Sequence, residues 1–176
     1  SEAKAYKVPF IVDNTVATPF LLNPIKYGAD IVIHSLTKYI TGNGTSLGGV
    51  IIDAGNFDWS NGKFPEFTEP SAGYHGLKYY EVLGAVSFIA KVRIEGLRDY
   101  GAALSPFNAF QIIQGLETLP IRVQKHSENG LALAQWLEKQ EAVAWVNYPG
   151  LKSSKYYDLA TQYLPKGQNG LLTFGL

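Results

Sequence analysis

The sequence predicts an α/β protein built around a buried parallel sheet. Three observations carry that prediction. Short, continuous apolar runs recur at residues 8–12, 30–34 and 49–53, the pattern of strands covered on both faces. The stretches between them hold only short helices or loops. Polar residues crowd at the ends of those runs, where sheets of this class carry their working groups.

Taken in order, Val8-Pro9-Phe10-Ile11-Val12 opens the sheet and stops at Asp13-Asn14-Thr15. Leu21 to Tyr27 reads as a short helix ended by Gly28. The runs from Asp30 to His34 and from Gly49 to Asp53 are the next two strands. Residues 54–78 break the rhythm: Gly55, Gly62, Pro65, Pro70 and Gly73 alternate with Phe57, Trp59, Phe64 and Phe67. A loop of that length is a functional or partner-packed segment on one reading, and an insertion tucked down by its aromatics on the other. Tyr79 to Tyr100 reads as a helix whose apolar stripe is Val82, Leu83, Val86, Ile89, Ala90 and Leu97, with Gly101 as the stop. Ser105-Pro106 supplies an N-cap and a first-turn proline for a helix through Leu116. Pro120 opens another to about Gln140, roughly 30 Å long and enough to connect two domains. Strands at 143–148 and 171–174 then begin a C-terminal domain that the sequence does not finish.

Composition narrows the function. The chain has 176 residues, 15 basic against 15 acidic side chains, and neither Cys nor Met. Without Cys there is no disulfide framework, thiolate metal site or catalytic thiol. Without Met, Ser1 reads as a processed or truncated start. The charge balance argues against a nucleic-acid or anionic-membrane partner, and no apolar run approaches the roughly 20 residues that span a bilayer. The expectation is a soluble, cytoplasmic chain. Charged residues are 17% and aromatics 13%, which fits either an aromatic-rich core or an extensive subunit interface.

The densest polar cluster is His34-Ser35-Leu36-Thr37-Lys38, just after the second strand. A lysine there can form an imine with an aldehyde, and Ser35 and Thr37, two apart, can aim hydroxyls at one anion beside it. Asp13, closing the first strand, offers an acid partner for the other end of such a cofactor; the plainer reading is a turn or cap. The glycine-rich run after Lys38 lacks both the G-K-S/T ending of a P-loop and the dinucleotide fingerprint. His34, His75 and His126 have no second ligand at metal spacing, so no metal site is expected.

At these residues the sequence resembles the pyridoxal-phosphate enzymes of cysteine and methionine metabolism. The resemblance rests on Val12-Asp13-Asn14-Thr15, Gly28-Ala29-Asp30-Ile31-Val32 and Ser35-Leu36-Thr37-Lys38-Tyr39. Residues 43–50, Phe57-Asp58-Trp59, Thr68-Glu69-Pro70, Tyr74-His75-Gly76, residues 101–110, 114–119 and 145–151 bring it closest to the O-acetylhomoserine sulfhydrylase branch. It covers essentially the whole chain. It implies fold type I, the aspartate aminotransferase-like fold, with residues 1–119 as the second half of the cofactor-binding large domain. Residues 120–176 are then the interdomain helix and the start of a truncated small α+β domain.

The resemblance also implies roles. Lys38 bonds covalently to pyridoxal 5'-phosphate, Ser35 and Thr37 bind its phosphate, Asp13 pairs with its ring nitrogen, and Thr15 packs or hydrogen-bonds near the ring. The implied reaction is γ-replacement, in which O-acetylhomoserine and sulfide give homocysteine and acetate, and methanethiol gives methionine. The implied assembly is a homotetramer with shared active sites. Asn43 stands where many relatives carry His, and Leu36 where Ala is frequent. The family's N-terminal phosphate loop and its C-terminal arginine for the substrate carboxylate have no counterpart, so the chain is expected to be a fragment. Cystathionine γ-synthase, a γ-lyase, a catalytically incomplete fragment and a cofactor-free lysine aldolase are the competing expectations.

Overall fold

The central apolar run becomes the central strand. In the computed structural model, which describes residues 2–176, β1 (Ile11–Asp13), β2 (Ile31–Ser35) and β3 (Gly49–Asp53) form a sheet in the order β1-β2-β3. β1 pairs with β2 in parallel, with Asp13 opposite Ile33. The helices are α1 (Glu2–Ala5), α2 (Thr18–Leu21), α3 (Pro65–Thr68), α4 (Tyr79–Leu83), α5 (Ser87–Lys91), α6 (Arg98–Tyr100), α7 (Pro106–Glu117), α8 (Leu119–Leu137) and α9 (Tyr157–Tyr163). A second sheet pairs β4 (Trp145–Asn147) with β5 (Thr173–Gly175), antiparallel.

The chain alternates between two units. One takes the chain up to Asp13, then Pro24–His34 and Gly49–Pro106; the other takes Asn14–Asn23, Ser35–Gly48 and Phe107–Leu176. The core of the first gathers Ile31, Trp59, Phe67 and Tyr79, with Phe57, Phe64 and Phe88 against them. Trp59 is 2% exposed and lies parallel to Phe88, ring centres 5.1 Å apart. The aromatics of the 54–78 segment therefore pack within their own unit, as the tucked-insertion reading expects.

The second unit has two cores. One joins Leu21, Ile40, Ile112, Leu119 and Val123; the other joins Ala134, Tyr148 and Leu151. The buried Tyr148 hydroxyl donates to the Asn169 carbonyl at 2.7 Å, tying the connection before β5 to the β4 region.

Several expectations are corrected. β1 starts at Ile11 rather than Val8, because Pro9 has no N–H and the Phe10 N–H donates to the buried Asp30 carboxylate at 2.8 Å. It is also an edge strand, which leaves Ile11 exposed. The helix expected over Leu21–Tyr27 divides into α2 and a 3₁₀ turn, Pro24–Tyr27, since Pro24 cannot continue a helix from Leu21. The long helix of 79–100 breaks at Gly84, whose φ of +55° suits glycine and no helix. Its second part resumes as α5, widens into a π-helical stretch over Val92–Leu97 and closes as α6. That break turns Val82 (64% exposed) and Val86 out of the expected buried stripe. α8 stops at Leu137, three residues early, and α9 was not expected at all.

Candidate functional site

The lysine singled out by its place after the second strand sits on an unusual piece of backbone. Past Ser35 the chain coils into a wide π-type turn, Leu36–Ile40, and helical geometry fails at Lys38 itself (φ −89°, ψ −120°). On either side the turn is anchored by apolar groups: Ile40 is in the core, and Leu36 and Tyr39 pack against it. Lys38 remains exposed between them. Sequence and packing thus seat the turn and leave the amine accessible.

Hydroxyls hold the flanks. The Thr15 hydroxyl accepts the Ser35 N–H at 2.8 Å, which fixes the backbone where β2 ends. The Thr37 hydroxyl accepts the Gly48 N–H at 3.0 Å and donates to the Gly48 carbonyl at 3.3 Å, closing the 38–47 loop at its neck. At the tip of that loop the Thr45 and Ser46 hydroxyls donate to the Gln111 side-chain oxygen on α7, at 2.7 and 3.0 Å.

The turn's carbonyls are satisfied from two directions. Leu36 O accepts from the Thr41 N–H and hydroxyl, and Lys38 O from the Gly42 N–H. The next two, Tyr39 O and Ile40 O, accept from the guanidinium of Arg122 on α8, at 2.8 and 3.1 Å. Burial lowers the guanidinium's hold on its proton, but a guanidinium so placed stays charged.

Thr37, Lys38, Tyr39, Arg122 and His126 line a cleft of about 400 Å³ in this unit. Its charged lining, Lys38 and Arg122, is cationic, and the His126 ring meets the Tyr39 ring edge-on at 5.7 Å. The arrangement can present a primary amine to a carbonyl and receive an anion beside it.

The second unit therefore brings Thr15, Ser35, Thr37 and Lys38 into one turn and its neck. Asp13 belongs to the other unit, exposed at the carboxyl end of β1. The sequence reading missed Arg122. Its one local signal was Gly115, a glycine inside α7, which marks close approach of another backbone. Among the described residues no three His, Asp or Glu side chains gather as a metal-binding set, and no helix is long and apolar enough to cross a membrane.

Comparison with known proteins bears on this arrangement. The family model for Cys/Met metabolism PLP-dependent enzymes (PLP, pyridoxal phosphate) matches residues 1–176. An O-acetyl-L-homoserine sulfhydrylase of Leptospira meyeri is 53% identical across 97% of this chain, and a homocysteine/cysteine synthase of Saccharomyces cerevisiae is 48% identical across 99%. In each case the chain spans 40% of the relative's length. A crystal structure of a Campylobacter jejuni protein assigned as an O-acetylhomoserine (thiol)-lyase, holding N'-pyridoxyl-lysine-5'-monophosphate, superposes with a TM-score of 0.93. It is 44% identical, over 98% of this chain and 42% of that one. The architecture is accordingly part of the fold-type-I transferase fold. With the family model matched from the first residue to the last, the chain belongs to the Cys/Met metabolism PLP-dependent enzyme family.

Proposed function

We propose that the whole protein is a pyridoxal-phosphate-dependent γ-replacement enzyme. It converts O-acetylhomoserine and sulfide to homocysteine and acetate, with methanethiol as the alternative acceptor in place of sulfide. The observation that carries this reading is the accessible Lys38 amine on a turn whose neighbours are anchored in the core. The residues fit the cofactor: an amine for its aldehyde and the Ser35 hydroxyl for its phosphate, joined by the Thr37 hydroxyl once its proton turns from the Gly48 carbonyl, a bond of 3.3 Å.

Bound there, the group supplies an electron-withdrawing ring that makes the substrate Cα proton acidic. Lys38 would take that proton on its Nζ and later return one. By the family likeness, Ser35 and Thr37 would orient the phosphate end and Asp13 would keep a proton on the ring nitrogen by its negative charge. Thr15 holds the Ser35 backbone through its hydroxyl. In the net reaction the Cγ–O bond breaks, acetate leaves with the electron pair, and a Cγ–S bond forms with the thiol, which loses its proton.

In this reading residues 1–119 are the second half of the large domain and residues 120–176 lead into the small one. Copies of the whole protein assemble with shared sites. The exposed ridge of Phe107, Phe110, Ile113 and Leu116 along α7 supports burial of that face in the full assembly.

The test is turnover by the full-length protein. Homocysteine and acetate should form from O-acetylhomoserine with sulfide, and Lys38→Ala should abolish both. Cystathionine formation with cysteine as the better acceptor would move the protein to the synthase branch, and no product with any acceptor would end the γ-replacement reading.

A further inference from the structure

We propose that Arg122 is a positioning residue for Lys38. The inference rests on the functional reading above, because it concerns how the lysine is presented to the cofactor.

The backbone accounting of the turn carries it. A wide turn broken in its middle cannot satisfy its own last carbonyls, and a buried carbonyl without a partner is costly. Leu36 O and Lys38 O find N–H groups of the next residues, whereas Tyr39 O and Ile40 O find none nearby and turn to Arg122. The guanidinium meets them with two different nitrogens, and Nη2 also donates to Gly115 O at 2.7 Å. Its Nε donates to the Thr118 hydroxyl at 3.0 Å, which fixes the plane of the fork.

One side chain therefore joins the turn, the end of α7 and the start of α8. A lysine cannot replace it, because an ammonium lacks the rigid planar fork that reaches two successive carbonyls. The backbone on the far side is equally committed. Gly42, at φ +75°, lies so close that a Cβ would fall 2.3 Å from Nη1. The fork thus sets the two residues that follow Lys38, and with them the direction in which its side chain leaves the turn.

The test uses the full-length protein loaded with pyridoxal phosphate, as parent, R122K and R122Q. R122K keeps the charge and loses the fork; R122Q loses the charge as well. Three readouts are taken: amide hydrogen exchange over residues 36–42, cofactor affinity, and the pH midpoint of the bound cofactor's absorbance. Both variants should exchange the segment about tenfold faster. Both should hold cofactor about tenfold more weakly, with the midpoint displaced by about one unit.

If R122K keeps the parent's midpoint and affinity, the fork is dispensable and the proposal fails. Should neither variant fold, Thr118→Val frees the guanidinium plane without removing it. A midpoint shift in T118V then supports the proposal, and an unchanged one overturns it. A parent protein in which borohydride traps no cofactor on Lys38 defeats the functional reading itself, an outcome separate from any behaviour of the variants.

Discussion

A Cβ on Gly115 would lie 2.3 Å from the carbonyl oxygen of Thr41 and 2.8 Å from that of Ile40. Both obstacles are backbone, so neither can swing aside. Alanine in place of a mid-helix glycine ordinarily stabilises by about 1 kcal/mol. Here the clash reverses the sign, and Gly115→Ala should cost about 1–2 kcal/mol net. Chemical denaturation of the full protein measures it, and a stabilised G115A would show that the turn and α7 are not in contact as described.

Trp59 offers a contrast between volume and polarity. Its ring packs against Phe57, Phe64, Phe67 and Phe88, and among the described residues its indole N–H has no hydrogen-bond partner. Trp59→Ala should cost about 3–5 kcal/mol, and Trp59→Phe less than half of that. Equal costs for the two would mean that the indole N–H is bonded after all.

The stability of the first unit should depend on pH from both sides through one cluster. The Glu95 carboxylate accepts from Lys91 at 2.7 and 2.8 Å and from the buried Tyr79 hydroxyl at 2.8 Å. Lys91 foremost, and Tyr79 after it, hold the Glu95 carboxyl below its ordinary 4.5, against the opposing pull of burial. A lowered carboxylate stabilises fully above 4.5, and that contribution is lost as pH falls through the folded value. Burial first, then the bond to Glu95, pushes the Tyr79 hydroxyl above its ordinary 10, so its contribution is lost as pH rises beyond 10. Thermal melts against pH should show both limbs. E95Q should flatten the acid one and Y79F the alkaline one; unchanged limbs would remove the cluster from the account.

Tyr148 tests the second unit's other core. Its hydroxyl donates to Asn169 O and, at 3.4 Å, to Ser127 O, both in buried surroundings. Tyr148→Phe leaves the Asn169 carbonyl short of a donor and should cost about 1–2 kcal/mol. The same denaturation measurement checks it, with a neutral Y148F as the contrary result.

What the sequence made legible was local. β2 and β3 were readable because a continuous apolar run has one economical use in an α/β chain, and Ser105-Pro106 announced α7 because a cap and a first-turn proline act within one turn. Lys38 stood out by its place after a strand, while its assigned role came from the family likeness. The break at Gly84 was hidden inside an otherwise helical period, where a single glycine is usually tolerated. Arg122 was invisible for a different reason. Gly115 marks that some backbone comes close to α7, but nothing in the chain says that the fork of Arg122 will meet that backbone's carbonyls, since only tertiary packing brings α8 there.

That distance has a consequence for the order in which the protein is made. Arg122 and Tyr39 are 83 residues apart, and a contact of such separation forms only after the loop between them has closed. Lys38 leaves the ribosome well before α8 does. Throughout that interval the two carbonyls after the lysine have no fork to meet them, so its turn is unset however complete the neighbouring strand may be. Maturation of the lysine is thus gated by synthesis of α8, and a nascent chain halted short of Arg122 carries the reactive amine without its seat.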